Sequence, residues 1–466
     1  MEPLDIASRR ELFVDDFLID RFEGGASLRM NPPQRGEVVL EARPPLENAC
    51  SGFYSVLVES RGRYLLYYRG NYPLGGDGDA STEQTANVAV SEDGIHFQRP
   101  ELGLFDLGDG GKNNVVWKGN QAHNLVPFRD ENPDCDADRR FKAVGGVGRN
   151  NLYALYSADG FNWRLAQEGP LAVTGMFDSA NVALWDPAIE KYRLFSRVRM
   201  PGRGRSIQSC VSDDFIHWTE PLPHRYEPDA PVEQFYTNAT AACPGAEHIL
   251  LSFPMRYVAE RTTPVEDISA MDYPGSDKPG MTGMTDAVMM SSRDGVHWRR
   301  PFVEAWVRPG LDERNWTHRN TTPAIGILPL SEDEWSMYLG EHYGWRDNRL
   351  RRLSIRPWGF ASIHAGLGGG TVLTKPITFT GRELRLNFST SAVGSVRVEI
   401  QDEAGWSVPG FGLGEMTPVY GDRLDHPVAW AAGGDVSGLA GRTVRLRFEL
   451  KDADVFAMRF AEGSGD

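Results

Sequence analysis

Cysteine is scarce. Cys50, Cys135, Cys210 and Cys243 stand at wide, irregular spacing in 466 residues, with no C-x-x-C pair. That spacing excludes a disulfide framework and a zinc ribbon, and it predicts free thiols packed as small apolar groups. No run of about 18 apolar residues occurs, so no transmembrane helix is expected. The opening MEPLDIASRRELFVDD lacks the apolar segment of a secretory leader, which predicts a cytoplasmic protein. Basic charge is also short: 49 Lys and Arg face 64 Asp and Glu, for a net charge of -15 and a pI near 5.2. Nucleic-acid and anionic-membrane partners need clustered Lys and Arg, so neither is expected. There is no H-E-x-x-H, EF-hand loop or Cys/His cluster, hence no dedicated metal site. The glycine runs at 75–79 and 108–114 lack the P-loop pattern and read as loops.

Short β-rich runs bounded by Gly, Pro, Asn and Asp are what the chain does contain. One phrase recurs: Ser91-x-Asp93-Gly94-x-x-Phe97, Ser157-x-Asp159-Gly160-x-x-Trp163, Ser212-x-Asp214-x-x-x-Trp218 and Ser292-x-Asp294-Gly295-x-x-Trp298. Ser and Asp side chains can bond nearby backbone N–H groups and Gly accepts positive φ, so each copy predicts a tight turn between strands. The aromatic then packs against a neighbouring sheet. The Asp-to-Asp intervals are 66, 55 and 80 residues, enough for a four-stranded blade with its loops. A fifth unit (TPAIGILPL, EWSMYLGEHYG, RLRRLSIRPWGFASI) lacks the phrase but keeps the strands. ELFVDDFLID at 11–20 is a strand without a unit and is expected to complete the last blade, which would remove an exposed edge.

After residue 364 the texture changes. HAGLGGG reads as a connection, followed by alternating runs (ELRLNFST, SVRVEIQD, TVRLRFEL, VFAMRF) that predict an antiparallel sandwich with no catalytic group. The reading is therefore all-β: a five-bladed β-propeller over 1–364 and a C-terminal antiparallel β-sandwich over 365–466.

In a propeller, residues at the start of each innermost strand converge on a funnel. Here they include Glu47, Asn48, His123, Asn124, Asp178, Asn181, Glu233, Gln234, Tyr236, Asn238, His318 and Arg319. Such groups hydrogen-bond sugar hydroxyls. Glu47, Asp178 and Glu233 are the candidate catalytic carboxylates, since glycoside hydrolysis needs one carboxyl as proton donor and one as base or nucleophile. Glu341 and His342 sit where they could edge the funnel, and Asp15 and Asp16 form a rival acidic pair. Tyr72, Trp316 and Trp345 are loop aromatics able to stack on sugar rings.

Five units with S-x-D-G-x-x-W turns and a following sandwich resemble the superfamily of invertases, levanases, arabinanases and β-xylosidases, the sandwich being most similar to the invertase-like branch. The W-M-N-D-P-N-G, R-D-P and E-C phrases of invertases are absent. The resemblance implies a glycoside hydrolase-like enzyme acting on an oligosaccharide or glycoside. It gives Glu47 the part of nucleophile or base, Asp178 that of transition-state stabiliser and Glu233 that of general acid. No cofactor is implied, apart from a calcium ion that a histidine such as His318 helps hold in the arabinanase branch. Two alternatives stay open: a non-catalytic carbohydrate-binding propeller, and a phosphorylase using Arg197, Arg256 and Arg319 for phosphate.

Overall fold

The computed structural model describes residues 2–58, 62–70, 84–266, 268, 271 and 282–463. Among them the chain is all-β, with a few 3-10 turns and no α-helix. Among the described residues no helix is long and apolar enough to cross a membrane. Two compact units form, Pro33–Ser354 and the pair Met1–Pro32 with Ile355–Asp466.

Within 33–354 the strands pair in chain order, as short turns between consecutive strands favour. The first sheet joins Gly52–Val58, Tyr64–Arg69, Thr85–Ser91 and Val115–Lys118. The second joins Val126–Arg129, Phe141–Gly146, Leu152–Ser157 and Trp163–Leu165. The third joins Val182–Asp186, Lys191–Met200, Gly204–Ser212 and Leu222–Pro223. The next unit is broken across its width. Gln234–Thr237, Met255–Thr262 and Thr282–Ala287 form one three-stranded sheet, and Thr240–Cys243, Ala246–Ser252 and Met290–Ser292 form another. The middle break falls at Pro254, which has no N–H for the ladder. In the last unit Thr322–Pro323 and Leu328–Pro329 pair with Trp335–Glu341, followed by Arg349–Ile355 and then Gln34–Glu41.

The closing strand is thus Gln34–Glu41, not 11–20. Val39 and Leu40 are buried with Tyr54, Leu66, Tyr338 and Leu350, which joins the last sheet to the first. Leu65, Tyr67 and Val88 pack with Phe141 and Leu155 between the first and second sheets. Val144 and Ala154 pack with Ala183 and Leu194 between the second and third. The run 11–20 belongs to the other unit, because Phe13, Leu18 and Ile19 fill its core. Asp15 and Asp16 form a turn there, Asp15 Oδ1 accepting from the Phe17 N–H at 2.9 Å and the Asp16 carbonyl from the Ile19 N–H at 3.1 Å.

Each repeated phrase folds as a turn that docks on the preceding sheet. In the first, Ser91 Oγ accepts from the Gly94 N–H at 3.0 Å and Asp93 Oδ1 from the Ile95 and His96 N–H groups at 2.8 Å. Tyr338 O–H donates to the Gly94 carbonyl at 2.6 Å, Tyr67 O–H to that of Gly160 at 2.8 Å and Ser209 Oγ to that of Gly295 at 2.7 Å. The third copy has Phe215 where the others have Gly, at φ 69°. Its ring packs 5.7 Å from Phe128 and 6.0 Å from Tyr156, so burial of an aromatic offsets the backbone cost.

The second unit holds a six-stranded sheet ordered Ile19–Met30, Ala361–Thr374, Arg445–Ala461, Glu383–Gln401 and Asp422–Pro427, with Glu11–Leu12 also paired to Arg445–Ala461, and a parallel pair of Leu4–Ala7 with Ile377–Phe379. ELRLNFST and SVRVEIQD, expected as two strands, are one strand with a register shift between Thr390 and Ser395; TVRLRFEL and VFAMRF likewise merge. HAGLGGG is no free connection either, since it lies within Ala361–Thr374 at a shift between Ala365 and Gly370. A Cβ on Gly370 would meet the Ala26 nitrogen at 2.3 Å, so close strand approach requires the glycine. The first 32 residues, placed by sequence with the propeller, therefore join this unit, and it begins at 355, not 365.

Candidate functional site

The loops before the first strand of each sheet interlock through hydrogen bonds. Ser179 Oγ donates to the Tyr236 carbonyl at 2.8 Å and Asn238 Nδ2 to that of Ala180 at 3.2 Å. Arg69 donates to Asn124 Oδ1 at 3.1 Å, to the Cys50 carbonyl at 2.8 Å and to the Tyr343 hydroxyl at 3.0 Å. Thr285 Oγ1 donates to the Asn320 carbonyl, and Asn320 Nδ2 to the Tyr343 carbonyl at 3.2 Å. These contacts gather residues from successive sheets of 33–354 into one polar centre.

His123 is 1% exposed, with a ring nitrogen 2.7 Å from Gln84 Oε1. Burial first, then the charges of Arg69, Arg319 and Arg197, push its pKa down to about 3, despite a hydrogen bond to the Asp178 backbone. His123 is therefore neutral at physiological pH. Asp178 stands beside it with both carboxylate oxygens 3.0 Å from one terminal nitrogen of Arg197, whose other one donates to the Tyr236 carbonyl at 2.7 Å. The Tyr236 ring is 4.7 Å from the Arg197 guanidinium carbon, 5.0 Å from that of Arg205 and 5.2 Å from that of Arg319. The Tyr257 ring lies tilted to it at 5.5 Å and the His318 ring edge-on at 6.3 Å. Gln234 Oε1 accepts from Arg205 at 3.0 Å.

Of the residues singled out by sequence, His123, Asn124, Asp178, Gln234, Tyr236, His318 and Arg319 meet in this centre. Glu233 does not share their surroundings. It precedes Gln234–Thr237, where successive side chains alternate between faces, and lies on the Phe235 side. Its oxygens accept from Arg256 at 2.8 Å and from Arg300 at 2.5 Å, and Arg256 also binds Asp286. Glu47 is 2% exposed, accepting from Arg99 Nε and a terminal nitrogen at 2.6 Å each, from the Arg43 N–H at 2.9 Å and from Tyr68 O–H. Glu341 is equally covered, bonded to Arg349 and Arg351 at 3.0 and 2.9 Å. Asn48 and Asn181 bond their own loops, Asn48 Oδ1 accepting from the Cys50 N–H and Asn181 Nδ2 donating to the Phe177 and Ser179 carbonyls, and Asn238 is taken up by the Ala180 carbonyl and the Thr240 hydroxyl.

Sequence reasoning missed Arg69, Arg205, Tyr257 and Tyr343. The available signal was an arginine closing an apolar strand, as in YLLYYR, where nothing but a polar partner justifies burying it.

A cleft of about 940 Å³ opens beside the centre; Gln234 and Tyr257 line it together with Glu233, Arg256, Asp286 and Trp316. Trp316 is 37% exposed, its indole N–H held by the Gly310 carbonyl at 2.8 Å. Trp345 is buried, its indole bonded to Arg314 and Thr317, and Tyr72 lies outside the described residues. Among the described residues no group of three His, Cys, Asp or Glu could hold a metal. Calcium needs a shell of oxygen ligands, whereas the His318 ring faces the Tyr236 and Tyr257 rings and, among the described residues, a single carbonyl, that of Gly283 at 3.4 Å, which do not make such a shell.

No protein-family model matches the sequence, and no protein of curated function does. Similar solved structures include an N-acetylgalactosamine deacetylase from F. plautii in complex with blood group B trisaccharide, at 12% identity over 72% of this chain and 96% of that one, TM-score 0.42. A mannose phosphorylase from Leishmania mexicana in complex with phosphate is 12% identical over 72% and 92%, TM-score 0.41. The α-L-arabinanase of Penicillium chrysogenum, complexed with arabinobiose, is 10% identical over 70% and 99%, TM-score 0.39.

Proposed function

We propose that residues 33–354 form a five-bladed β-propeller, with the second unit as its β-sandwich companion, and that the chain is a glycosidase. The observation that carries the reading is the convergence of Asp178, His123, Tyr236 and Arg319 from separate units, beside a cleft with an exposed tryptophan. An apolar platform flanked by a few fixed polar groups suits a sugar ring. Two carboxylates serve the cleavage in this reading. Glu233, which lines the cleft, is assigned to activating water, in place of the donor's part that the resemblance gives it. Asp178, oriented by Arg197, is then the donor to the leaving oxygen. Glu47 stands outside the chemistry as the partner of Arg99.

The test is a panel of aryl glycosides with matched good and poor leaving groups. Asp178→Asn should lower turnover of the poor-leaving-group member by ~10²-fold or more, and of the good one far less. Glu233→Gln should be slow on both and recover in azide, which replaces the activated water. Equal loss on both substrates in Asp178→Asn would remove it as the proton donor.

A further inference from the structure

Two arginines crowd one buried ring. Arg197 is 4% exposed; its terminal nitrogens serve Asp178 and the Tyr236 carbonyl, while its Nε is buried with no hydrogen-bond partner among the described residues. Arg205 bonds Gln234 and faces the Tyr236 and Tyr257 rings at 5.0 and 4.8 Å, all neutral groups, and its Nε is likewise buried and unpartnered. Burial and the like charges of Arg197 and Arg199 push its pKa below the ordinary arginine value, in spite of the two tyrosines. Buried donors of charged groups are costly to leave unsatisfied, and like charges held together repel. A neutral sugar hydroxyl would answer one donor and none of the charge. An oxyanion answers both, and arginine forks match its geometry.

We propose that Arg197 and Arg205, beside Tyr236, form a subsite for an oxyanion: a carboxylate, sulfate or phosphate group that arrives with the glycoside. The inference rests on the glycoside reading for its sugar and on the two arginines for its charge. The oxyanion is either borne by the sugar or bound free alongside it. The net charge of -15 repels anions at long range, so affinity must come from these direct bonds.

Thermal unfolding and titration calorimetry of the full chain with low-millimolar sulfate, phosphate, D-glucuronate and D-glucose at fixed ionic strength test this. Glucuronate and glucose differ at one carbon, carboxylate against hydroxymethyl. The wild type should bind at least one oxyanion, and Arg205→Met should weaken it by ~10-fold or more, the scale of a lost charge-assisted bond. Arg205→Lys should recover part of the loss, keeping charge without the fork. General salt stabilisation would be equal in all three proteins, so the difference between them is the readout. Preference for glucuronate over sulfate and phosphate places the charge on the sugar; the reverse identifies a free oxyanion. Oxyanion binding equal in wild type and Arg205→Met overturns the subsite, as does no oxyanion binding. Glucose binding without any oxyanion overturns the subsite while leaving the glycoside reading intact. Oxyanion binding by a chain that cleaves no glycoside supports the subsite and removes the glycosidase.

Discussion

Glu47→Gln separates a structural carboxylate from a catalytic one. Glu47 is 2% exposed and accepts four hydrogen bonds, two from Arg99, one from the Arg43 N–H and one from Tyr68 O–H. The amide turns one oxygen into a donor facing the Arg99 guanidinium, which is itself largely covered. Breaking a buried pair by altering one partner costs ~3–5 kcal/mol, because the other charge is left uncompensated. In a unit of this size each kcal/mol shifts the melting point by ~2 °C, so a fall of about 6–10 °C is expected. Differential scanning calorimetry reads it, and turnover measured well below the transition should be nearly unchanged. Replacing both partners, Glu47→Leu with Arg99→Met, should recover most of the loss, since a covered pair exchanged for apolar groups is close to neutral. A shift under ~2 °C, thus under about 1 kcal/mol, together with collapsed turnover would refute the structural assignment and return Glu47 to the chemistry.

Tyr67→Phe removes the hydroxyl that ties the first sheet to the Gly160 turn and should cost ~1–2 kcal/mol in urea unfolding without changing turnover. Tyr338→Phe, which unties the Gly94 turn, should cost about as much, and the two should add because the sites are independent. His123 and His224 are both pushed down to about 3 by burial, below the ~6.5 of an unfolded chain, so the unfolded state binds more protons between those values. Stability should therefore fall as pH drops from ~6.5 toward 3, by about 1.4 kcal/mol per pH unit for each histidine. His224→Phe keeps the ring stacked on Trp298 and should remove one histidine's share of that slope in urea curves between pH ~6.5 and 4.5; an unchanged slope would contradict it. Trp316→Ala should raise KM ~10-fold or more with kcat and melting point little altered, as expected for an exposed platform that binds ground and transition states alike.

The turn phrase was the most legible part of the fold, because its spacing encodes its own hydrogen bonds. Ser91 and Asp93 satisfy the N–H groups that a tight turn orphans, and Gly94 supplies the positive φ. Strand ownership was less legible. FVDDFL and QRGEVVLE both offer an apolar pair beside charges, and only tertiary packing decides which core receives Phe13 and which receives Val39. Long strands that carry a register shift, such as Glu383–Gln401, read in sequence as two short ones, since the polar residues of the bulge mimic a turn. In the site, asparagines at strand starts were ambiguous in the same way. Asn181 and Asn238 look like sugar ligands, yet both are occupied by neighbouring loop carbonyls, which a buried loop must satisfy somehow.

The carboxylates cannot be sorted without their arginines. A sequence displays Glu47, Glu233 and Glu341 as acidic groups but not the cations that face them. Each is answered here by guanidinium partners from elsewhere in the chain: Arg99, the pair Arg256 and Arg300, and the pair Arg349 and Arg351. Asp178, itself bonded to Arg197, is the candidate carboxylate within the polar centre, and the arginine charge bearing on His123 is positive. The selectivity of such a site is then set by which arginines are already neutralised. Arg256 is matched by Glu233 and Asp286, so it gives the cleft shape without net charge. Among the described residues Arg205 has only neutral partners at hydrogen-bond or ring distance, so it is the side chain through which a charged ligand would be told from a neutral one.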